Sequence, residues 1–412
     1  MERRQFLKIG GLGSVALFSG IPFSSHARSD FKIKKIRYYS APGYNKPLFN
    51  QARGIVEIET DSGLVGIGEG GTPDMVRQCA EMLIGEDPFR IEHLWQYLYR
   101  GMFYPPGREK LHGVGAIEMA LWDLKGKALG VPIYELLGGK TRDYVECYAT
   151  GFRKSKATTM EGRAQDCLEA GLRCYRIGPT CGNGDLPFDF YEHSKKTIEM
   201  CQKLDKAVGG SGNWAIDLHT RFDTTEAIKI CDALEELEPY FVEDIIRSEN
   251  PEVYKTIRNM TKVPIAVGEQ FGDRWDSNVL MENHLIDYSR VTLPNTGGIT
   301  EIKKIIAIGE THYVGIIPHF TGPLSTAALV HVLGSSSPTR CMIELAGGEP
   351  EKPSYFNEDF IDFREGKVHL NDRPGLGVIF SPEKASLLFE VTKNTEFTHP
   401  YLKSPDGAIH NW

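Results

Sequence analysis

The 412-residue chain is 41% hydrophobic, 25% charged and 10% aromatic, a globular composition that excludes a disordered, fibrous or disulfide-scaffold protein. Its 47 Lys and Arg stand against 55 Asp and Glu, a net charge of −8, so nothing in the overall charge draws it to nucleic acid or anionic lipid, and small-molecule chemistry is the better expectation. The eight cysteines are scattered without a C-x-x-C pair or metal-finger spacing, and read as buried or free thiols.

In chain order, the first element is an export signal. Arg3-Arg4-Gln5-Phe6-Leu7-Lys8 precedes an apolar, glycine-rich stretch from Ile9 to Phe23 and the small-x-small triplet Ser25-His26-Ala27, a twin-arginine-type pattern over residues 1–27 that implies a periplasmic protein. The apolar stretch is short and carries Pro22, and no later segment reaches the length of a membrane span, so no membrane association is expected after signal removal. Residues 28–143 read as an α+β capping domain. Strand patterns at Phe31–Tyr39, Gly54–Thr60 and Leu64–Gly68 are followed by helical periodicity, clearest where Ile117, Ala120, Leu121, Leu124 and Ala128 share one helix face before Gly130 and Pro132 end it.

From residue 144 to 363 the pattern becomes a repeated helix, break and short apolar strand ending in a polar residue. The strand-end residues Asp217, Glu243, Glu269, Thr292, His319 and Glu344 recur at intervals of 23 to 27, the step that one strand, one helix and two loops require. With strands near Val145 and Tyr175 they make the eight of a (β/α)₈ TIM-type barrel. An open doubly wound sheet competes, but no glycine-rich phosphate fingerprint follows any strand. Residues 364–412 are left over from the barrel and are expected to return to the capping domain.

Strand C-termini of such a barrel open on the catalytic face. Asp217 and His219 lie two apart on one strand and so are expected to point the same way. Asp217, Glu243 and Glu269, on adjacent strand ends, would repel one another without a cation among them, and oxygen ligands suit Mg²⁺, with Mn²⁺ as the alternative. Any one of these acids would serve equally as a helix N-cap; three in register favour metal. His219 and His319 flank them, and imidazole both accepts and donates protons near neutrality. Leu293–Gly298 and Gly322-Pro323-Leu324 have loop character and could approach a ligand, or be plain turns.

Taken in order, these residues resemble the enolase superfamily, in its mandelate racemase and muconate lactonizing enzyme branch and its galactonate and mannonate dehydratase-like members. The resemblance rests on Ala116-Ile117-Glu118-Met119-Ala120-Leu121-Trp122-Asp123-Leu124-Lys125-Gly126-Lys127, Leu137-Gly138-Gly139, Asp217-Leu218-His219, Phe241-Val242-Glu243-Asp244, Gly268-Glu269, Gly297-Gly298-Ile299-Thr300 and Pro318-His319. It implies a capping domain over a barrel mouth and a metal that binds the substrate carboxylate and stabilises the ene-diolate left when a base takes the α-proton. Carried over by position, it implies Asp217, Glu243 and Glu269 as metal ligands, His219 and His319 as the acid/base pair without a division of roles, and Glu344 as a substrate contact. Homo-oligomers are common among similar proteins.

Two departures narrow the reading. The Lys-x-Lys of many relatives is replaced by Tyr175-Arg176-Ile177-Gly178, which removes the lysine base; Arg176 would contact substrate or metal ligands, or form an interior ion pair. Galactonate-type members carry an Asp before the Gly-Gly turn, where Thr292 stands here, leaving His319 as a weaker base suited to general acid. Cap loops around Ala41–Pro47 and Phe103–Lys110 offer Tyr44 and Arg108 to substrate hydroxyls, or to solvent. The expected function is a Mg²⁺-dependent acid-sugar dehydratase, a hydro-lyase giving a 2-keto-3-deoxy acid. The alternatives are a racemase, epimerase or cycloisomerase starting from the same proton abstraction, and a non-catalytic sugar-acid binding protein.

Overall fold

The computed structural model describes residues 31–43, 54–101, 103–180, 187–320, 322–337, 340–395 and 402–411. The expected signal at 1–27 and the candidate Tyr44 lie outside the described residues.

The capping domain starts with a meander of β1 (Ile33–Ser40), β2 (Gly54–Thr60) and β3 (Val65–Glu69), then α1 (Pro73–Leu83), α2 (Ile91–Arg100) and α3 (Gly107–Leu129). Ile36, Tyr38, Val56 and Ile58 on the sheet pack with Val76, Leu94, Trp95, Ile117 and Leu121 of the helices in one buried cluster, the expected outcome of period-2 strands facing a period-3.6 helix stripe. β3 and α3 lie in close contact, since a Cβ on Gly68 would stand 2.0 Å from the Ala116 carbonyl oxygen. The helix ends at Gly130, whose φ of +69° makes the left-handed cap that glycine adopts without a Cβ penalty.

α4 (Ile133–Leu136) leads into the barrel, whose strands are β4 (Tyr144–Thr150), β5 (Tyr175–Ile177), β6 (Trp214–Asp217), β7 (Val242–Glu243), β8 (Ile265–Val267), β9 (Tyr288–Ser289), β10 (Gly315–Ile316) and β11 (Met342–Ala346). All pair in parallel with their sequence neighbours. β11 pairs with β4 and the bridge Ile316 to Cys341 joins β10 to β11, so the sheet closes into the expected (β/α)₈ barrel. The helices α5 (Met160–Glu169), α6 (Phe190–Val208), α7 (Thr224–Leu234), α8 (Tyr254–Met260), α9 (Arg274–Glu282), α10 (Ile299–Thr311) and α11 (Pro323–Gly334) follow successive strands. Tyr148, Cys174, Ala215, Phe241, Ala266, Tyr288, Ile317 and Met342 supply one residue per strand to a buried interior layer, so the barrel is filled rather than open.

After β11 the chain forms a hairpin of β12 (Asp362–Arg364) and β13 (Lys367–His369), the latter antiparallel to the start of β4. The boundary expected at 363 thus falls inside a hairpin that extends the barrel sheet. Only then does the chain return to the cap, where β14 (Ser386–Val391) pairs antiparallel with β1. Among the described residues no helix is long and apolar enough to cross a membrane, and the seven described cysteines are buried and free.

α3 also holds cap and barrel together. The buried Glu118 carboxylate accepts hydrogen bonds from the Ile299 and Thr300 amides at 2.7 and 2.8 Å and from the Trp122 indole at 2.6 Å, capping α10 from the other domain. Glu118→Ala strands those two helix-terminal donors away from water, at about 1–3 kcal/mol each. A drop of at least about 2 kcal/mol in unfolding free energy by urea titration is the expected result, and an unchanged midpoint would remove this clamp from the stability account.

Candidate active site

Because alternate strand residues share a face, the positions two beyond the apolar interior layer form the next ring up the barrel. They are Thr150, Arg176, Asp217, Glu243, Gly268, Arg290, His319 and Glu344. Seven of the eight are polar, and they lie at the strand C-terminal ends where the barrel opens toward the cap.

Two arginines organise this ring. Arg176 Nη1 is 2.7 Å from both Asp217 Oδ2 and Glu243 Oε2, its Nη2 is 2.7 Å from Glu344 Oε1, and its Nε donates to Thr150 Oγ1 at 2.8 Å. The two readings open for Arg176 meet here: it forms an interior ion pair, and its partners include Asp217 and Glu243, both expected as metal ligands. Arg290 is fully buried. Its Nε donates to Glu243 Oε1 at 2.7 Å, its Nη2 to Glu344 Oε2 at 2.6 Å, and its Nη1 to the Ile317 carbonyl at 3.0 Å and to the Tyr148 hydroxyl. Glu344 is held between the two guanidiniums. Burial would raise its carboxyl, but the Arg176 and Arg290 charges outweigh burial and hold it well below the ordinary carboxylate range.

The other acids are in the opposite state. Burial raises Asp217 and pushes Glu243 up to about 8 even against both arginines. It also raises Asp244 well above its ordinary range, with the charges of Glu269, Glu243 and Asp217 adding to the effect. Asp244 holds a φ of +42°, and its Oδ2 is buried without a hydrogen-bond partner among the described residues. Ligand atoms of Asp217, Glu243 and Asp244 lie within 4.8 Å of one another. Five carboxylates here, Asp217, Glu243, Asp244, Glu269 and Glu344, share two guanidiniums, and a hard divalent cation with oxygen ligands would supply the positive charge still missing. This donor chemistry suits a hard divalent cation, although among the described residues the cluster holds Asp244 where Glu269 was expected.

Glu269 stands one residue beyond the ring position Gly268 and joins the two histidines. Its Oε2 is 3.1 Å from His319 Nε2 and its Oε1 is 3.8 Å from His219 Nε2. The expectation that His219 shares the direction of Asp217 through strand alternation is corrected here: β6 ends at Asp217, and His219 and Thr220 take φ of +49° and +55°. That left-handed turn, with the His219 amide donating to Asp217 Oδ1 at 2.6 Å, is what turns the imidazole toward Glu269. The His219 side chain is 56% exposed and the His319 side chain 9%. Burial lowers His319 below its ordinary pKa, opposed by the charges of Glu269 and Glu344.

The remaining candidates fall outside this cluster. Thr292 is fully buried, two residues beyond Arg290, which takes the interior position on the sixth strand; the strand-end reading of Thr292 is corrected accordingly. Thr292 Oγ1 and His319 Nδ1 each lack a hydrogen-bond partner among the described residues. Arg108 is held by the barrel: its Nε is 2.9 Å from Asp276 Oδ2 and its Nη1 2.5 Å from Ser248 Oγ, so it ties the cap to two barrel loops. Sequence reasoning passed over Arg290, Asp244 and Thr150. Arg290 and Thr150 were findable as the second residue after Tyr288 and Tyr148 on their strands, and Asp244 as the partner of Glu243 in an acidic pair.

Comparison with known proteins agrees with this geometry. The family model described as enolase C-terminal domain-like matches residues 159–384, and that of the mandelate racemase / muconate lactonizing enzyme N-terminal domain matches residues 48–138. The chain is 31% identical to a D-mannonate dehydratase of Sphingomonas sp., over 87% of this chain and 95% of that protein. It is 30% identical to a D-galactonate dehydratase of Pectobacterium atrosepticum, over 92% of this chain and the whole of that one. Among solved structures, an enolase from Pantoea ananatis with bound D-gluconate and Mg superposes with a TM-score of 0.76 at 29% identity, covering 86% of this chain and 94% of the other.

Proposed function

The chain belongs to the mandelate racemase and muconate lactonizing enzyme family of the enolase superfamily, and from that premise we propose that it is a Mg²⁺-dependent acid-sugar dehydratase producing a 2-keto-3-deoxy acid. The observation that carries this reading is the juxtaposition, at one barrel mouth, of crowded carboxylates short of positive charge with two histidines that meet on Glu269. Dehydratase relatives named for mannonate and galactonate support it.

Asp217, Glu243 and Glu269 would hold the ion, with Asp244 beside them. When bound, the ion supplies Lewis-acid stabilisation of the negative charge that develops on the substrate carboxylate as the α-proton leaves. The chain's own side chains do the rest. Contrary to the general-acid role expected from Thr292, His319, inside the ring and shielded from water, takes the α-proton. His219, at the open mouth, gives a proton to the β-hydroxyl, so the carbon–oxygen bond breaks and water departs. The resulting enol takes up a proton at the β-carbon to give the 2-keto acid. Arg176 and Arg290 keep Glu344 ionised and the ligand carboxylates in place. The twin-arginine-type segment supports export to the periplasm, and fractionation of cells carrying Arg3→Lys and Arg4→Lys together should then show retention in the cytoplasm.

The direct test is a screen of the protein with Mg²⁺ against aldonic and uronic-derived acids, detecting 2-keto acid formation. A hit abolished by chelator and restored by Mg²⁺ is expected; racemised or cyclised product without loss of water would replace the dehydratase reading by an isomerase one. Glu269→Gln should weaken Mg²⁺ binding by tenfold or more in calorimetry, on the order of what losing one charged ligand contact is worth. Unchanged affinity would take Glu269 out of the ligand set and leave Asp217, Glu243 and Asp244.

A further inference from the structure

At the catalytic mouth, between the loop after β4 and the turn after β11, lies an open cleft of about 720 Å³, within the range of small-molecule sites. β4 and β11 are adjacent parallel strands in register to their ends, Ala346 opposite Thr150. Beyond them the Gly347 amide donates to the Thr150 carbonyl at 2.9 Å and the Arg153 amide to the Gly347 carbonyl at 3.0 Å, which closes the floor. Thr150 lines this cleft and its hydroxyl bonds Arg176 and Glu344, so the cleft borders the polar ring.

The lining has a consistent chemistry. It carries Arg153, Arg163, Ser155 and Thr158, with Ser155 Oγ held by the Asp166 carboxylate at 2.5 Å and the Ala157 amide at 3.0 Å. Arg163 is spent on the loop itself, donating to the Ala157 and Thr158 carbonyls. The Arg153 guanidinium has no partner among the described residues. Gly347, at φ of +81°, lets that side chain lie across the turn, where a Cβ would stand 2.6 Å from Arg153 Cδ. A guanidinium without a partner among the described residues can bind a carboxylate with two parallel hydrogen bonds.

We propose that this cleft is a second subsite of the sugar-acid site, taking the uronate unit of a substrate in which a uronic acid is linked to the reacting aldonate. The proposal rests on the acid-sugar reading above and extends it from a single hexonate to a two-unit diacid. The test uses the full chain loaded with Mg²⁺ and three probes: a uronosyl-aldonate, the neutral glycosyl-aldonate of the same linkage, and D-gluconate. Calorimetry should find the uronosyl-aldonate bound about tenfold more tightly than its neutral counterpart, the effect of one charged hydrogen-bonded contact. Arg153→Met should erase that difference. Equal affinities in the parent protein, or an undiminished preference in Arg153→Met, overturns the subsite. Turnover is read separately: absence of 2-keto acid from every probe, with Arg153-dependent binding retained, would sink the dehydratase reading and leave the subsite standing.

Discussion

His219→Asn protein incubated in deuterated water should exchange the α-proton of its acid-sugar substrate while dehydrating it about 10²–10⁴-fold more slowly. His319→Asn should lose exchange and dehydration together. The difference follows from position. His319 projects from the seventh strand inside the ring, 3.1 Å from Glu269 and beside the carboxylates proposed to hold the ion. His219 sits on a left-handed turn beyond the third strand with more than half of its side chain in solvent, suited to protonating a group that leaves as water. Exchange retained in His319→Asn and lost in His219→Asn would reverse the roles, and full activity in either variant would remove that histidine from the chemistry. Both histidines contact Glu269, so the denaturant midpoint, not Mg²⁺ affinity, serves as the control for folding.

The second large effect is expected at Arg290. This guanidinium is wholly buried and bonds two carboxylates, a tyrosine hydroxyl and a backbone carbonyl. Removing one member of a buried ion pair leaves the partner charge uncompensated, at about 3–5 kcal/mol. Arg290→Met should therefore lower the unfolding free energy by an amount of that size in denaturant titration and weaken Mg²⁺ binding, because Glu243 loses the donor that orients it. Adding Glu344→Gln to Arg290→Met should recover part of the stability, since one stranded charge is gone, without recovering metal affinity. A single Arg290→Met variant within about 1 kcal/mol of the parent would mean that Arg176 alone balances the ring. Arg290→Lys separates charge from geometry, because an ammonium keeps the charge but cannot reach both carboxylates and Tyr148 in one plane.

Gly268 shows why the ring was only partly legible in sequence. It occupies the interior position on β8, where a Cβ would come within 2.5 Å of the Val291 amide nitrogen, and the functional acid is displaced by one residue to Glu269. A reading by strand ends still found Glu269, since it looks for polar residues after apolar runs. The same reading chose Thr292 over Arg290 on the sixth strand, because an arginine two residues after a tyrosine in a short β-strand resembles a surface residue until the barrel is known to close around it. Arg108 shows the reverse: expected in a cap loop as a substrate contact, it lies in the first turn of α3, and Asp276 and Ser248, 168 and 140 residues away, hold it.

What the sequence alone determined is whatever is written in local periods. Alternation of two placed the cap strands, the helical stripe of α3 placed Ile117 through Leu124, and the constant step between polar strand ends counted out the barrel, its strand-end acids and His319. What only the tertiary structure decided is pairing. The return of β14 to β1, the hairpin laid on β4, the junction of both histidines on Glu269 and the arginine-held carboxylate ring link residues as far as 168 apart within Arg176 and Glu344 alone. Such contacts carry no local signature. They exist because closing eight strands brings alternate side chains to one axis, where burial makes every charge seek an opposite one.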